Sequence, residues 1–321
     1  MKTAIAIVGL DRVGRSLGLA LKKSDDPVEI TGFDLESSWV EDAQKTGAID
    51  KSNGNLHSAI ENADVVVINL PAGVTVDWLE ECTRSLKEGA LLVNTAPVHR
   101  AVCEWAKSGF PEKRGLVNAS PAISGSSMET TDSSAELFKG GVVVVSSPPG
   151  TDESAILQVE EFAALMGASV MFADPLEADG LLTQVDLLPR TLQLIYLHGA
   201  LSRAGWKEAQ KLTGPAFWKV FQFTGDFPTG KMAAGEWLAH KDNLIQQLDL
   251  LKTAIEDFQD ELRAGDVEKI EKNHDAFLEN LQKWSHRRTS GDWSSDQMRE
   301  VKEKVSLWKK LFGMNLPKKK A

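Results

Sequence analysis

Residues 3–34 read TAIAIVGLDRVGRSLGLALKKSDDPVEITGFD, and the reading of this stretch decides the fold. Thr3 to Val8 is too brief and too uniformly apolar for a surface helix, and it reads as a buried strand. It enters Gly9-Leu10-Asp11-Arg12-Val13-Gly14, and a helical apolar run follows from Leu17 to Leu21. A second strand, Val28 to Phe33, ends on Asp34, twenty positions after Gly14. This is the order of a dinucleotide-binding βαβ unit, whose helix N-terminus receives a pyrophosphate and whose acidic residue holds a ribose. One position departs from it: the middle glycine is Asp11.

That glycine lets bare backbone approach the pyrophosphate. Asp tolerates left-handed backbone, so the turn itself is expected to survive. A carboxylate about 4 Å from a phosphate oxygen costs about 1 kcal/mol in water-like surroundings and about 4 kcal/mol at an effective dielectric near 20. Arg12 and Arg15 flank the loop and offset that charge if they reach the phosphates. The expected nucleotide site comprises Gly9, Leu10, Asp11, Arg12, Val13, Gly14 and Asp34, with Leu70, Pro71 and Thr95 beyond later strands. Asp34 without an arginine directly after it favours NAD over NADP. The alternative is a Rossmann-type domain that keeps the shape and has lost or weakened the ligand.

Working outward, 321 residues suit two domains. A net charge of −10 argues against nucleic acid or an anionic membrane as the main partner. The longest apolar runs are strand-sized, so no membrane span is expected. Met1-Lys2 leads into a strand with no apolar signal region, so no signal peptide is expected. Cys82 and Cys103 have no pairing logic, and the six histidines show no metal spacing. The expectation is a cytoplasmic protein without a metal.

Further strands are expected at Ala63–Leu70, Gly89–Asn94, Gly115–Ala119, Val142–Ser146 and Ala168–Phe172. Helices are expected from Ser37 or Ser38 to Gly47, and at Asn55–Asn62, Val74–Leu86, Val98–Lys107 and Glu153–Met166. Such alternation means a parallel sheet covered on both faces. After Asp174-Pro175 only helical periodicity remains. The chain therefore divides into a Rossmann-type domain (1–174), a helical domain (175–284), and a linker with a C-terminal helical extension (285–321). Leu176 to Arg203 reads as one long buried helix. Leu244, Leu248, Leu251, Ile255, Phe258 and Leu262 form an a/d seam, part of it expected in a homodimer interface. Trp206, Phe217, Trp218, Phe221, Phe223 and Phe227 suggest core packing, or else an aromatic-lined pocket. Ser285 to Trp293 reads as a polar linker. Ser294 with Gln297 then caps a last apolar stripe, Met298 to Phe312, before a solvated Lys318–Lys320 tail.

Taken together, the order of pieces resembles the prephenate/arogenate dehydrogenase family over about residues 4 to 284. The residues that carry the resemblance are Gly9-Leu10-x-x-Val13-Gly14-x-Ser16-Leu17, Ala63-Asp64-Val65-Val66 through Leu70-Pro71, Ser120-Pro121 with Gly125, Glu136 to Gly140, Leu188-Pro189, Gly214-Pro215-x-Phe217 and Gly265-Asp266. The resemblance implies an NAD(P)-dependent oxidoreductase that dimerises through its helical domain. It also implies oxidative decarboxylation of a cyclohexadienyl carboxylate on the route to tyrosine. The family's histidines around these motifs, its general base among them, fall on Leu187, Arg190 and Ser120. Its serine and lysine after the fourth strand fall on Pro97 and His99, and its substrate-binding arginine on Gln222. Losses at so many chemical positions point to an altered substrate, or to a non-catalytic homologue acting as a ligand-binding or assembly protein.

In the expected interdomain cleft, Asp186 and Arg190 share a helix face at i,i+4. There they offer a proton donor or acceptor and an anchor for a carboxylate substrate, or else only an intrahelical ion pair. His99 is the candidate replacement base, titrating near neutrality, against a plain surface histidine. His198 reads as a core histidine.

Overall fold

The computed structural model describes residues 2–123, 125–127, 131–222 and 230–291. Its first half alternates strand and helix: β1 (Thr3–Val8), α1 (Arg12–Leu21), β2 (Val28–Phe33), α2 (Ser37–Lys45), β3 (Lys51–Ser52), α3 (Leu56–Ile60), β4 (Val65–Ile68), α4 (Thr75–Thr83), β5 (Leu91–Asn94), α5 (His99–Gly109), β6 (Gly115–Pro121), β7 (Val142–Ser146), α6 (Glu153–Leu165) and β8 (Ser169–Phe172). Among the described residues these strands form one sheet, ordered β3-β2-β1-β4-β5-β6-β7-β8. The order turns at β1, which pairs β2 on one side and β4 on the other. That reversal opens the crevice in which doubly wound sheets bind ligands.

β1 shows why its run is apolar throughout. Ile5 and Ile7 pack on one face with Leu17 of α1 and Phe162 of α6. Ala6 and Val8 pack on the other with Leu79 of α4 and Val102 of α5. A strand buried on both faces has no polar alternation to show. The sheet is parallel except between β6 and β7, which run antiparallel, a departure from the expected all-parallel sheet. A parallel return needs a crossover element, and the described residues between β6 and β7 hold only a 3-10 turn, Gly125–Ser127. Helix α2 begins after Glu36 and has no side-chain cap bond, so neither Ser37 nor Ser38 caps it as expected.

The second half is helical: α7 (Pro175–Leu182), a π-helical turn (Thr183–Leu187), α8 (Leu188–Leu201), α9 (Trp206–Ala209), α10 (Pro215–Gln222), α11 (Gly230–Ala239), α12 (Lys241–Ala264) and α13 (Val267–Ser290). The expected single helix from Leu176 to Arg203 is thus interrupted. Pro189, in the first turn of α8, has no N–H for the preceding turn, and the chain widens into the π turn just ahead of it. Nor is it buried all round, since Val185, Ile195, Tyr196 and Leu201 are exposed. The expected linker from Ser285 is helical as far as Ser290, where Gly291 closes α13 in the left-handed conformation. The Ser294–Gln297 cap, the Met298–Phe312 stripe, the lysine tail, Phe223 and Phe227 lie outside the described residues. The rest of the aromatic group is a surface cluster: Trp206 and Phe217 lie 5.5 Å apart, while Trp218 and Phe221 are exposed.

Candidate nucleotide site and interdomain cleft

The turn after β1 keeps the geometry of a phosphate loop. Gly9 has φ +96°, and a β-carbon there would fall 1.8 Å from the Asn69 carbonyl oxygen. A β-carbon on Gly14 would fall 1.9 Å from the Gly9 carbonyl oxygen. Only glycine permits both the turn and the close seating of α1 on β1. Asp11 is the N-cap of α1, and its carboxylate turns inward to accept from Gly14 N at 2.9 Å and Asn69 Nδ2 at 2.8 Å. Arg12 reaches away from the loop, donating to the Ser127 carbonyl at 3.1 Å and the Asp132 carbonyl at 3.2 Å. Arg15 donates to the Leu10 carbonyl at 2.8 Å.

Asp34 closes the cradle at the end of β2. One carboxylate oxygen accepts from Leu10 N at 2.6 Å and the other from Glu36 N at 2.8 Å. A carboxylate offers about four lone-pair sites, so it retains acceptor capacity for a ribose diol. Thr95 is buried after β5 and donates to the Ile68 carbonyl and to Asn69 Oδ1, each at 3.1 Å. Leu70 is half-buried and Pro71 exposed in the turn after β4. These residues fit a dinucleotide in the glycine turn, in the first-turn amides that α-helix geometry leaves without an intrahelical acceptor, and in the acidic residue at β2. The charge on Asp11 opposes it.

The helical domain docks on the same rim of the sheet. Gly73, beyond the β4 turn, lies so close to α11 that a β-carbon on it would be 2.7 Å from Glu236 N. Glu236 takes the Arg190 guanidinium through both oxygens, at 2.7 and 3.2 Å. The i,i+4 pair is also present, with Arg190 Nη2 at 2.6 Å from Asp186. Arg190 is therefore already neutralised by two carboxylates, which corrects its expected role as a free substrate anchor. Asp186 is 59% exposed at the edge of this cluster. His240, nearly buried, has Nδ1 3.1 Å from Thr183 Oγ1 in the π turn, and burial lowers its pKa. Sequence reasoning missed Glu236 and His240. Their i,i+4 spacing was visible, but nothing local shows that α11 lies against the π turn.

His99 corrects a second expectation. Its side chain is fully buried, with Nδ1 2.9 Å from Ser146 Oγ and Nε2 2.8 Å from Ser120 Oγ. Burial, and then the charge of His240, lowers its pKa to about 3. The ring is a neutral strut behind the cleft wall rather than an accessible base. Asn118 Nδ2 adds bonds to Ser146 Oγ at 3.2 Å and Cys103 Sγ at 3.3 Å. Asp179 of α7 receives the His99 and Arg100 amides at 2.7 and 3.1 Å, capping α5 from the other domain. His198, expected in the core, is exposed. The side chain of Gln222 lies outside the described residues. Among the described residues there is no cluster of metal-ligating side chains, and no helix is long and apolar enough to cross a membrane.

The doubly wound sheet, the glycine turn after β1 and the helices on the sheet's rim define a Rossmann-type fold followed by a helical region. The family model for the prephenate dehydrogenase nucleotide-binding domain matches residues 17–172, beginning just past the altered loop. A prephenate dehydrogenase of Bacillus subtilis is 22% identical over 272 residues, 80% of this chain and 71% of that protein. One from Lactococcus lactis is 29% identical over 191 residues, 59% of this chain and 51% of that protein. The crystal structure of prephenate dehydrogenase from A. aeolicus in complex with hydroxyphenyl propionate and NAD+ superposes with a TM-score of 0.75 at 17% identity, covering 88% of this chain and 98% of that one. Just under half of the chain thus matches the nucleotide-binding domain of the prephenate dehydrogenase family, and the fold of the whole is that of the solved prephenate dehydrogenase.

Proposed function

We propose that this chain is an NAD-dependent dehydrogenase of a small cyclohexadienyl-type carboxylate in tyrosine biosynthesis, with altered substrate contacts, working as a homodimer. The observation that carries the reading is the intact cradle of Gly9, Gly14 and Asp34 at the switch point of the sheet. Arg12 N and Val13 N at the head of α1, together with Asp34, would hold the dinucleotide. When bound, its nicotinamide supplies the hydride acceptor.

Oxidation of a secondary alcohol also needs a group that takes the hydroxyl proton. Asp186 is the candidate, because its carboxylate is exposed at the cleft and held in place by Arg190. Arg190 and Glu236 act as positioning residues, fixing Asp186 and the π turn. Removing the alcohol proton to a carboxylate is harder than removing it to an imidazole, so slower turnover than a histidine-based site is expected. The exposed apolar residues on α8 and α12 support the dimer.

A second reading, a ligand-binding homologue without turnover, is favoured by the state of the cleft's imidazoles. Both His99 nitrogens are engaged, and His240 is nearly buried with Nδ1 on Thr183. The test is NADH formation by the purified chain with NAD+ and either arogenate or prephenate. NADH above background that Asp186→Asn reduces tenfold or more supports the enzyme. No NADH with either substrate, in protein that still binds NAD+, supports the second reading.

A further inference from the structure

The chain carries an anion of its own at the head of α1, the end of a helix to which phosphates bind. The amides at the head of α1 are those a cofactor phosphate accepts from, and the aspartate N-cap takes one of them, Gly14 N, for itself. Asp11 Oδ1 holds both Gly14 N, at 2.9 Å, and Asn69 Nδ2, at 2.8 Å. Asn69 Oδ1 accepts in turn from Thr95 Oγ1 at 3.1 Å. The carboxylate is therefore tied into the ends of β4 and β5 as well as to its own helix. A glycine at this position would supply neither the cap nor the charge.

We propose that Asp11 is an internal stand-in for the cofactor pyrophosphate, which a dinucleotide must displace or tolerate in order to bind. The nucleotide-free chain is then the capped and stabilised form, and the affinity for NAD+ is set by this one carboxylate. Arg12, directed to the Ser127 and Asp132 carbonyls, holds its guanidinium toward that segment rather than over the cap. The inference rests on the reading of this loop as a dinucleotide site.

Two substitutions separate charge from capping. Asparagine caps a helix as well as aspartate but carries no charge, whereas glycine at the cap supplies no side-chain acceptor. Full-length wild type, Asp11→Asn and Asp11→Gly are titrated calorimetrically with NAD+ in one buffer, and each nucleotide-free protein is melted. Both variants are expected to bind NAD+ about tenfold or more tighter than wild type, the gain expected from removing one like charge. Asp11→Gly is expected to melt below wild type by about a degree, and Asp11→Asn close to it. A purely structural cap would move the melting temperature and leave affinity unchanged or worse. If wild type binds and Asp11→Asn binds no tighter, the inference falls while the cofactor reading stands. Binding by the variants but not by wild type supports the inference and overturns the claim that the wild-type cradle receives NAD. Saturable binding by none of the three overturns both. Should Asp11→Gly fail to fold, Asp11→Asn alone decides.

Discussion

His99 and Glu161 titrate with opposite effects on stability. The buried His99 ring has its pKa lowered to about 3, so it stays neutral in the folded chain while the unfolded chain protonates near the ordinary histidine value. Its contribution is present at neutral pH and is lost as pH falls. Glu161 on α6 goes the other way: burial, and then the charge of Asp26, raises its pKa to about 7. The folded chain therefore holds that proton more tightly, and the stability it confers is full below the ordinary carboxylate range and lost as pH rises through about 7. Glu161→Gln isolates this effect. The variant's melting temperature should exceed wild type by an amount that is small near pH 5 and grows toward pH 8, at about these limits. An offset equal at both pH values contradicts the assignment. At this scale the sequence was least informative: Ser146 and Asp179, which fix His99, lie 47 and 80 positions away from it. No local pattern marks such partners, so a strand-end histidine read from sequence alone looks exposed.

Strands β1, β4, β5 and β7 were legible because burial on both faces leaves their centres apolar. β1, β2 and β7 span Thr3–Val8, Val28–Phe33 and Val142–Ser146, as read from the sequence. β3, only Lys51–Ser52, is too short and too exposed to leave a periodic signal. The antiparallel turn into β7 was not legible either, since strand direction depends on the connection and not on the strand's own residues. On α12 the seam was legible but its partner was not: Ile255, Phe258 and Leu262 are 50%, 56% and 56% exposed within one chain. A stripe that no helix among the described residues covers is expected to meet a second copy. Sedimentation should show a dimer, and Phe258→Glu should shift it to monomer. A wild-type monomer at tens of micromolar, as an order of magnitude for a weak interface, contradicts this.

In the whole molecule, the helical domain closes over the edge of the sheet at which the cradle opens. Contacts that hold it there include Gly73 against α11, Asp179 beneath α5, and Arg288 of α13 on the Ile123 carbonyl. None of the three is visible as a motif, yet together they bring Asp186, Arg190, Glu236 and His240 to the rim beside the β4 turn. The cradle itself was legible, because glycine spacing reports a backbone requirement that no other residue meets. The direction of the Asp11 carboxylate was not, because it depends on Asn69, 58 positions further on. The central claim is that this cradle still receives NAD. Calorimetric titration of the full-length protein with NAD+ tests it most directly. Saturable binding of one NAD+ per chain is expected, with weaker binding of NADP+ and loss of binding in Asp34→Ala. Absence of saturable binding, or binding that Asp34→Ala leaves untouched, would contradict it.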